Sequence, residues 1–178
     1  MAFVFPDNTV LCNFACIDGT SLLVDHLRGR GRWTEAVARE AQQSVQYLPD
    51  LGTLLGPGSP LGEPIRIEGV EDSDRVEKIR RNVFGGTQDR LLQHLGEAQT
   101  CFLLTTDPAW AGATWITDDR EAGRYARYQG IVTWGTVDLV RALVADGDLT
   151  AEQAFTHLRA IDVQRPGLPT PDRPDDLR

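Results

Sequence analysis

The sequence predicts an α/β protein in which helices cover both faces of a central parallel sheet. Short apolar runs of the kind found in buried strands recur along the chain. Segments with the 3.6-residue periodicity of amphipathic helices separate these runs, and there is no internal repeat or heptad pattern. Strands that alternate with helices are joined by crossovers, which produce a parallel sheet with helices on both sides.

Length and composition indicate one folded domain. The chain has 178 residues, of which 41% are hydrophobic and 25% are charged, as in ordinary globular proteins. We assign residues 1–162 to a single domain and expect residues 163–178, rich in proline and charge, to form a disordered tail. No apolar run reaches the roughly 18 residues of a membrane helix, and no basic segment typical of a secretory signal opens the chain. These features predict a cytoplasmic protein that does not contact a membrane.

Cysteine, histidine and charge exclude several functional classes. Three cysteines and three histidines, without a CxxC pair, argue against a disulfide framework and against a zinc site. With 26 acids against 18 bases, the net charge of −8 does not favour nucleic-acid binding by bulk electrostatics. All the bases except Lys78 are arginines, however, and arginine binds phosphate through two parallel hydrogen bonds, so local basic patches remain an alternative.

The first half of the chain predicts one strand followed by three helices. Apolar residues 2–5 predict a buried strand. Helical periodicity predicts helices at 8–16 and 21–26, and Thr34 is positioned to cap a third helix. Residues 47–69 are rich in proline and glycine and exceed an ordinary connection in length, which indicates either a functional flap or an insertion.

The second half of the chain predicts two more strands among five helices. The strongest strand signal covers residues 111–117, and a shorter one covers 131–134. The expected helices cover residues 70–83, 91–106 with an interruption at Gly96, 121–129, 137–144 and 151–161.

Acidic residues follow two of the predicted strands. Asp7 comes after the first strand, and Asp118 and Asp119 come after the strand at 111–117. Ligands of parallel sheets bind beyond the carboxyl ends of the strands. Carboxylates gathered there repel one another unless a cation or a proton lies between them, and oxygen ligands without cysteine or histidine select Mg²⁺ or Mn²⁺. Glu40 and Glu97 are candidates to join this group.

Each of these acids also has a structural interpretation. Asp7 and Asp118 each precede a predicted helix and are placed to cap it, and Glu97 is placed to interact with a helix dipole. Glu35 lies on the outer face of the helix that carries Glu40 and pairs naturally with an arginine four residues on. Composition and spacing alone leave the structural and catalytic interpretations open.

Four segments, taken together and in order, resemble a known family. They read VFPDNTVLCNFACID, RGRWTEAVARE, LGEAQTCFLL and WITDDREAGRYARYQGIVTWGTVDLV, and they span residues 3 to about 145. They are similar to the PIN domains (PilT N-terminus-like nucleases), in particular to the branch with a Gly-Glu-Ala motif that includes VapC-type toxins. The resemblance implies a three-layer α/β/α sandwich.

The resemblance also implies a function and a set of site residues. PIN domains are metal-dependent nucleases, so we expect a Mg²⁺- or Mn²⁺-dependent endoribonuclease that cleaves single-stranded or structured RNA. By position, the catalytic acids are Asp7, Glu40, Glu97 and Asp119, and the metal ligands are Asp7, Glu97, Asp118 and Asp119. Asn8 and Thr9, after the first aspartate, are expected to orient a carboxylate or a phosphate of the substrate.

One helix face suggests how the RNA is held. Arg120, Arg124 and Arg127 recur at helical spacing beside Asp119, with two tyrosines between them, a pattern suited to gripping phosphates and stacking bases. The alternative is that these are ordinary solvated arginines. The resemblance to toxins adds an antitoxin protein and a second copy of the chain, as a homodimer, to the candidate partners.

Two other functions fit parts of this sequence. A non-catalytic PIN-like scaffold that binds RNA or protein is favoured by the net charge and by the insert at 47–69. A haloacid-dehalogenase-like phosphatase would also have an acid after its first strand, but it requires the pattern D-x-D, and here Thr9 occupies the second position. Its catalytic lysine would have to be Lys78, within a polar helix.

Overall fold

The computed structural model describes residues 2–178 and contains a three-stranded parallel sheet. The strands are β1 (Val4–Pro6), β2 (Thr114–Ile116) and β3 (Val132–Trp134), in the order β1-β2-β3. A parallel bridge between Gly31 and Val4 extends the β1 edge. The Val4 amide donates to the Arg30 carbonyl, and the Val4 carbonyl accepts from the Arg32 amide. The predicted α/β class and parallel sheet are confirmed, although each strand is shorter than its apolar run.

Helices make up most of the chain. Those found in residues 2–178 are α1 (Asn8–Ala15), α2 (Thr20–Leu27), α3 (Glu35–Ser44), α4 (Val70–Asn82), α5 (Leu95–Thr106), α6 (Arg120–Tyr128), α7 (Thr136–Ala145) and α8 (Ala151–Gln164). Each corresponds to a predicted helix, and the largest shift is in α5, which begins at Leu95 because residues 91–94 form turns. None of these helices combines the length and the apolar character needed to cross a bilayer.

Apolar side chains cover both faces of the sheet. Because successive residues of a strand point to opposite sides, Val4 and Ile116 belong to one buried cluster and Phe5 and Trp115 to another. The first cluster is formed with α1, α2, α3, α7 and α8, and the second with α5 and α6. Strands β1 and β2 are therefore buried between helices, whereas Val132 and Trp134 of the edge strand β3 are exposed.

The Pro/Gly-rich insert is part of the core. Its leucines Leu51, Leu54 and Leu61 are fully buried, the first two on a short 3-10 helix at Pro49–Leu54. Ile65 forms a parallel bridge with Thr34, and the insert accepts a 2.9 Å hydrogen bond from the Trp33 indole. These two contacts tie the second half of the insert to the segment that leads into α3.

The C-terminal segment has a defined conformation, which differs from the predicted disordered tail. Helix α8 continues to Gln164, and a 3-10 helix at Pro174–Leu177 packs against α7 and α8. Leu177 is only 1% exposed and belongs to the larger apolar cluster. Composition alone predicts disorder for this segment, because a single leucine adds little to the average hydrophobicity of a polar stretch.

A buried arginine organises the loop that precedes α5. Arg80, on α4, is fully buried, and Glu77 one turn earlier accepts hydrogen bonds from its Nε and Nη2. The remaining guanidinium hydrogens reach the carbonyl oxygens of Thr87, Arg90 and Gln93 at 3.0–3.2 Å. All five N–H groups of the guanidinium thus have acceptors, and the loop that leads to Glu97 is held in one conformation.

Candidate metal centre

The carboxyl ends of β1 and β2 lie side by side and bring two acidic segments together. The Asp7 amide donates to the Ile116 carbonyl at 2.8 Å, and the Thr117 amide donates to the Trp134 carbonyl at 2.9 Å. The Thr117 hydroxyl then donates to Oδ2 of Asp7 at 3.2 Å and accepts from the Asp119 amide at 3.2 Å. Thr117, which the sequence suggested only as a possible helix cap, therefore joins the two acids that follow the strands.

Asp7 is a buried acid in a site dominated by negative charge. Its side chain is 5% exposed, and its Oδ1 accepts from the Asn8 amide at 2.8 Å as the cap of α1. Burial raises the pKa of Asp7 to about 7, and the charges of Glu97 and, to a smaller extent, Asp119 add to this shift. The capping interpretation of Asp7 is therefore correct, and it coexists with a place in the acidic cluster.

Glu40 and Glu97 reach the same cluster from helices α3 and α5. Burial, followed by the charges of Asp7 and Glu97, raises the pKa of Glu40 to about 8, while a hydrogen bond from the Gly96 amide partly opposes the shift. The Glu97 side chain is 15% exposed, and its Oε1 lies 3.2 Å from Nδ1 of His94. Sequence reasoning assigned no role to His94, which adopts a left-handed backbone conformation at the start of α5.

Asp119 completes the group. It caps α6, with its Oδ1 accepting from the Ala122 amide at 2.8 Å, and this capping occupies one carboxylate oxygen. Its charge is among those that raise the pKa of Asp7. The four predicted catalytic acids, which come from four separate parts of the chain, therefore act on one another electrostatically at one edge of the sheet.

Asp118, which the resemblance proposes as a metal ligand, accepts hydrogen bonds from protein donors on both carboxylate oxygens. Its Oδ1 accepts from the Thr136 amide at 2.8 Å, and its Oδ2 accepts from the Thr136 hydroxyl at 2.6 Å and from the Asn13 side chain at 2.8 Å. Both oxygens are engaged in joining β2, α1 and the start of α7. Gly135 makes this possible, because a Cβ there would lie 3.0 Å from Oδ1 of Asp118.

The two predicted substrate residues that follow Asp7 have different surroundings. Thr9 lines a cleft of about 530 Å³ together with Asp119, whereas Asn8 contacts its own helix through Cys12. The residues that line this cleft are Thr9, Asn13, Asp118, Asp119, Gln164, Arg165, Pro166, Gly167 and Leu168.

None of the three arginines on α6 lines this cleft. Arg124 forms an ion pair with Glu121 on the exposed side of the helix, and the Arg127 guanidinium lies against Gly123 one turn earlier. Arg120 is exposed. The structure thus places these arginines on a solvated face, and the cation that does line the cleft is Arg165, which lies in the segment predicted to be disordered.

A separate group of metal-ligating side chains lies away from the acids. Among residues 2–178, His26, Asp146 and Asp148 form the group whose ligand atoms all lie within 4.8 Å of one another, with Nδ1 of His26 3.0 Å from Asp148 and 3.7 Å from Asp146. This geometry is equally that of an ion pair that joins α2 to the turn after α7. Within the described residues, the four acids of the sheet edge are spaced more widely than this group.

Comparisons of this chain with protein-family models, with curated proteins and with solved structures found no match.

Proposed function

We propose that this chain is a PIN-like, metal-dependent endoribonuclease that hydrolyses phosphodiester bonds in single-stranded or structured RNA. The observation that carries the proposal is the electrostatic coupling of Asp7, Glu40, Glu97 and Asp119 at the carboxyl edge of a parallel sheet. An acidic group of this kind, without cysteine ligands, matches the chemistry of Mg²⁺ or Mn²⁺. The predicted PIN-like sandwich is part of this proposal.

The pKa values of the cluster support a cation site. With no cation present, burial and mutual repulsion raise the pKa of Asp7 to about 7 and that of Glu40 to about 8. A divalent cation would favour the ionised forms of both acids by offsetting the same repulsion. The wide spacing of the acids suits Mg²⁺, which keeps several water ligands and is held directly by only one or two carboxylates.

The residues divide into holding and proton-transfer roles. Asp7, Glu97 and Asp119 would hold the ion, which supplies Lewis-acid activation of the phosphodiester and of water. Burial and the charges of Asp7 and Glu97 raise the pKa of Glu40 to about 8, near the working pH, which is the property of a general acid–base group. His94 would orient Glu97 through the 3.2 Å contact between Nδ1 and Oε1.

The partners follow from the same site. The proposed substrate is RNA, and the family resemblance implies products with 5′-phosphate and 3′-hydroxyl ends. An antitoxin protein that inserts a basic segment into the acidic cleft, and a second copy of this chain, are the proposed protein partners. We also propose that the protein acts in the cytoplasm.

The test is a titration of Mn²⁺ into the protein, with free Mn²⁺ followed by electron paramagnetic resonance. Wild type should bind Mn²⁺, and Asp7→Asn and Asp119→Asn should remain folded by circular dichroism and lose this binding. Both variants should also lose Mn²⁺-dependent cleavage of a fluorescent RNA. Binding that is equal in wild type and Asp7→Asn would contradict the proposal.

The two alternatives give different results in the same experiments. A non-catalytic scaffold would bind RNA and leave it intact in the presence of Mn²⁺. A phosphatase would release phosphate from p-nitrophenyl phosphate and would not cleave an internal phosphodiester bond.

A further inference from the structure

We propose that Arg165 binds a phosphate of the nucleic-acid strand next to the acidic cluster, and that the strand continues from there to Tyr47, which stacks on a base. This inference rests on the proposed nuclease function and adds to it the path of the substrate.

Arg165 lies where two clefts meet. One is the 530 Å³ cleft that contains Thr9 and Asp119, beside the proposed metal centre. The other has a volume of about 300 Å³ and contains Ser44 and Tyr47. Gln164 and Arg165 line both clefts, so Arg165 is shared by the cleft that contains Asp119 and the cleft that contains the exposed tyrosine.

A chain of hydrogen bonds holds the arginine in place. Its Nε donates to Oδ1 of Asn13 at 2.9 Å, and Nδ2 of Asn13 donates to Asp118 and to the Thr136 hydroxyl at 2.8 Å and 3.1 Å. Asn13 is 2% exposed and spans these partners within the core. The arginine side chain is thereby oriented by one nitrogen, which leaves its two Nη groups for a ligand.

The charge of Arg165 is not neutralised by the protein. Its anchoring partner is an amide, and among residues 2–178 no carboxylate forms an ion pair with it. Arg124, by contrast, has such a partner in Glu121. An oriented guanidinium without a carboxylate is suited to bidentate binding of a phosphate.

The pKa of the Cys12 thiol responds both to Arg165 and to two of the acids. Burial raises the pKa of Cys12, and the Arg165 guanidinium lowers it, while Asp7 and Glu40 raise it further. The same thiol therefore lies within electrostatic range of the arginine and of two of the acids.

Tyr47 provides a surface for a base beyond Arg165. Its side chain is 78% exposed, although large apolar groups are otherwise mostly buried in this fold. It follows α3 and lines the smaller cleft with Leu48 and Arg165. Exposed aromatic side chains that alternate with basic ones are the usual platform for single-stranded nucleic acid.

The experiment measures binding of a 5′-fluorescein-labelled single-stranded RNA of ten nucleotides by fluorescence anisotropy in Mn²⁺. All proteins carry Glu40→Gln, which removes the proposed proton-transfer group and keeps the proposed metal ligands. We expect Arg165→Ala to weaken binding tenfold or more and to reduce the slope of log K against log salt by about 0.7, the value for one phosphate contact on a single strand. Arg159→Ala, on the exposed side of α8, is the matched control.

Tyr47 is tested in the same assay. Tyr47→Ala should weaken RNA binding roughly tenfold, and Tyr47→Phe should retain it, because stacking requires the ring and not the hydroxyl. Urea unfolding and Mn²⁺ affinity of each variant show whether the fold and the metal site are intact.

The outcomes separate this inference from the proposed function. If wild type cleaves RNA and Arg165→Ala binds RNA as tightly as Arg159→Ala with the same salt slope, the inference is wrong and the nuclease proposal stands. If Mn²⁺ binding does not depend on Asp7 and no RNA is cleaved, the proposed function fails. Arg165→Lys distinguishes a simple charge effect, which lysine would restore, from bidentate binding, which it would not.

Discussion

Gly96 lies so close to Glu40 that a side chain at position 96 would meet the carboxylate. A Cβ on Gly96 would be 3.1 Å from Oε1 of Glu40 and 3.2 Å from Cγ2 of Val37, where α5 packs against α3. The same proximity lets the Gly96 amide form a hydrogen bond with Glu40. The glycine that precedes Glu97 in the sequence is therefore explained by the position of an acid 56 residues earlier.

Substitution of this glycine should disturb the acidic cluster. We expect Gly96→Ala to displace the Glu40 carboxylate, to slow Mn²⁺-dependent RNA cleavage about tenfold and to cost about 1–3 kcal/mol of stability through overpacking. Gly52→Ala is the control, because a Cβ there has no neighbour within 4 Å. Cleavage of a fluorescent RNA and urea unfolding measure the two effects. Equal rates of cleavage in the two variants would show that the position of the Glu40 carboxylate is unimportant for the reaction.

The pH dependence of stability should reveal the raised pKa values. Asp7 and Glu40 shift from 3.8 and 4.5 to about 7 and about 8 on folding, so the folded protein binds these two protons more tightly than the unfolded chain. Their contribution to stability is complete below about pH 4 and is lost as the pH rises to about 8, at a rate of at most about 1.4 kcal/mol per pH unit for each group.

This dependence is measured by urea unfolding in EDTA between pH 5 and pH 8. The free energy of unfolding of wild type should fall relative to that of Asp7→Asn/Glu40→Gln over this range. A difference that stays constant with pH would mean that the two acids titrate normally.

The two faces of α3 should respond differently to the same chemical change. Glu35 forms ion pairs with Arg39 at 3.1 Å and with Arg66 at 3.4 Å on the exposed face. Glu35→Gln should therefore cost less than about 1 kcal/mol and leave RNA cleavage nearly unchanged. Glu40→Gln should reduce cleavage at least a hundredfold, as expected for loss of a general acid–base group. Rates of cleavage that fall equally in both variants would contradict the assignment of Glu40.

The adjacent residues Asp118 and Asp119 should affect different properties: substitution of Asp118 should mainly reduce stability, and substitution of Asp119 should abolish metal binding. Asp118→Ala leaves the donors of Asn13 and Thr136 without an acceptor and should cost about 3 kcal/mol of stability. Asp119→Ala removes a helix cap worth about 1 kcal/mol and should abolish Mn²⁺ binding. Urea unfolding and metal titration of both variants test this pair. A stable Asp118→Ala protein without metal binding would reverse the two roles.

The sequence determined the elements of this fold and the identity of the four acids. Periodicity located the helices, and the capping residue Thr34 marks the start of α3 where it was expected. These signals are readable because they depend on residues within one or two turns of each other. Asp7 and Asp119 could be placed at one edge of the sheet for a similar reason, since each directly follows a strand.

Only the tertiary structure decided which neighbouring residues share the site. It assigned Asp118 to a hydrogen-bonded network with Asn13 and Thr136, and it brought Arg165 into the cleft in place of the α6 arginines. These relationships join residues 105, 123 and 152 positions apart in the chain. Hydrogen bonds between side chains so far apart cannot be recognised from periodicity or composition. They depend on how whole elements pack, and not on the residues next to each partner in the sequence.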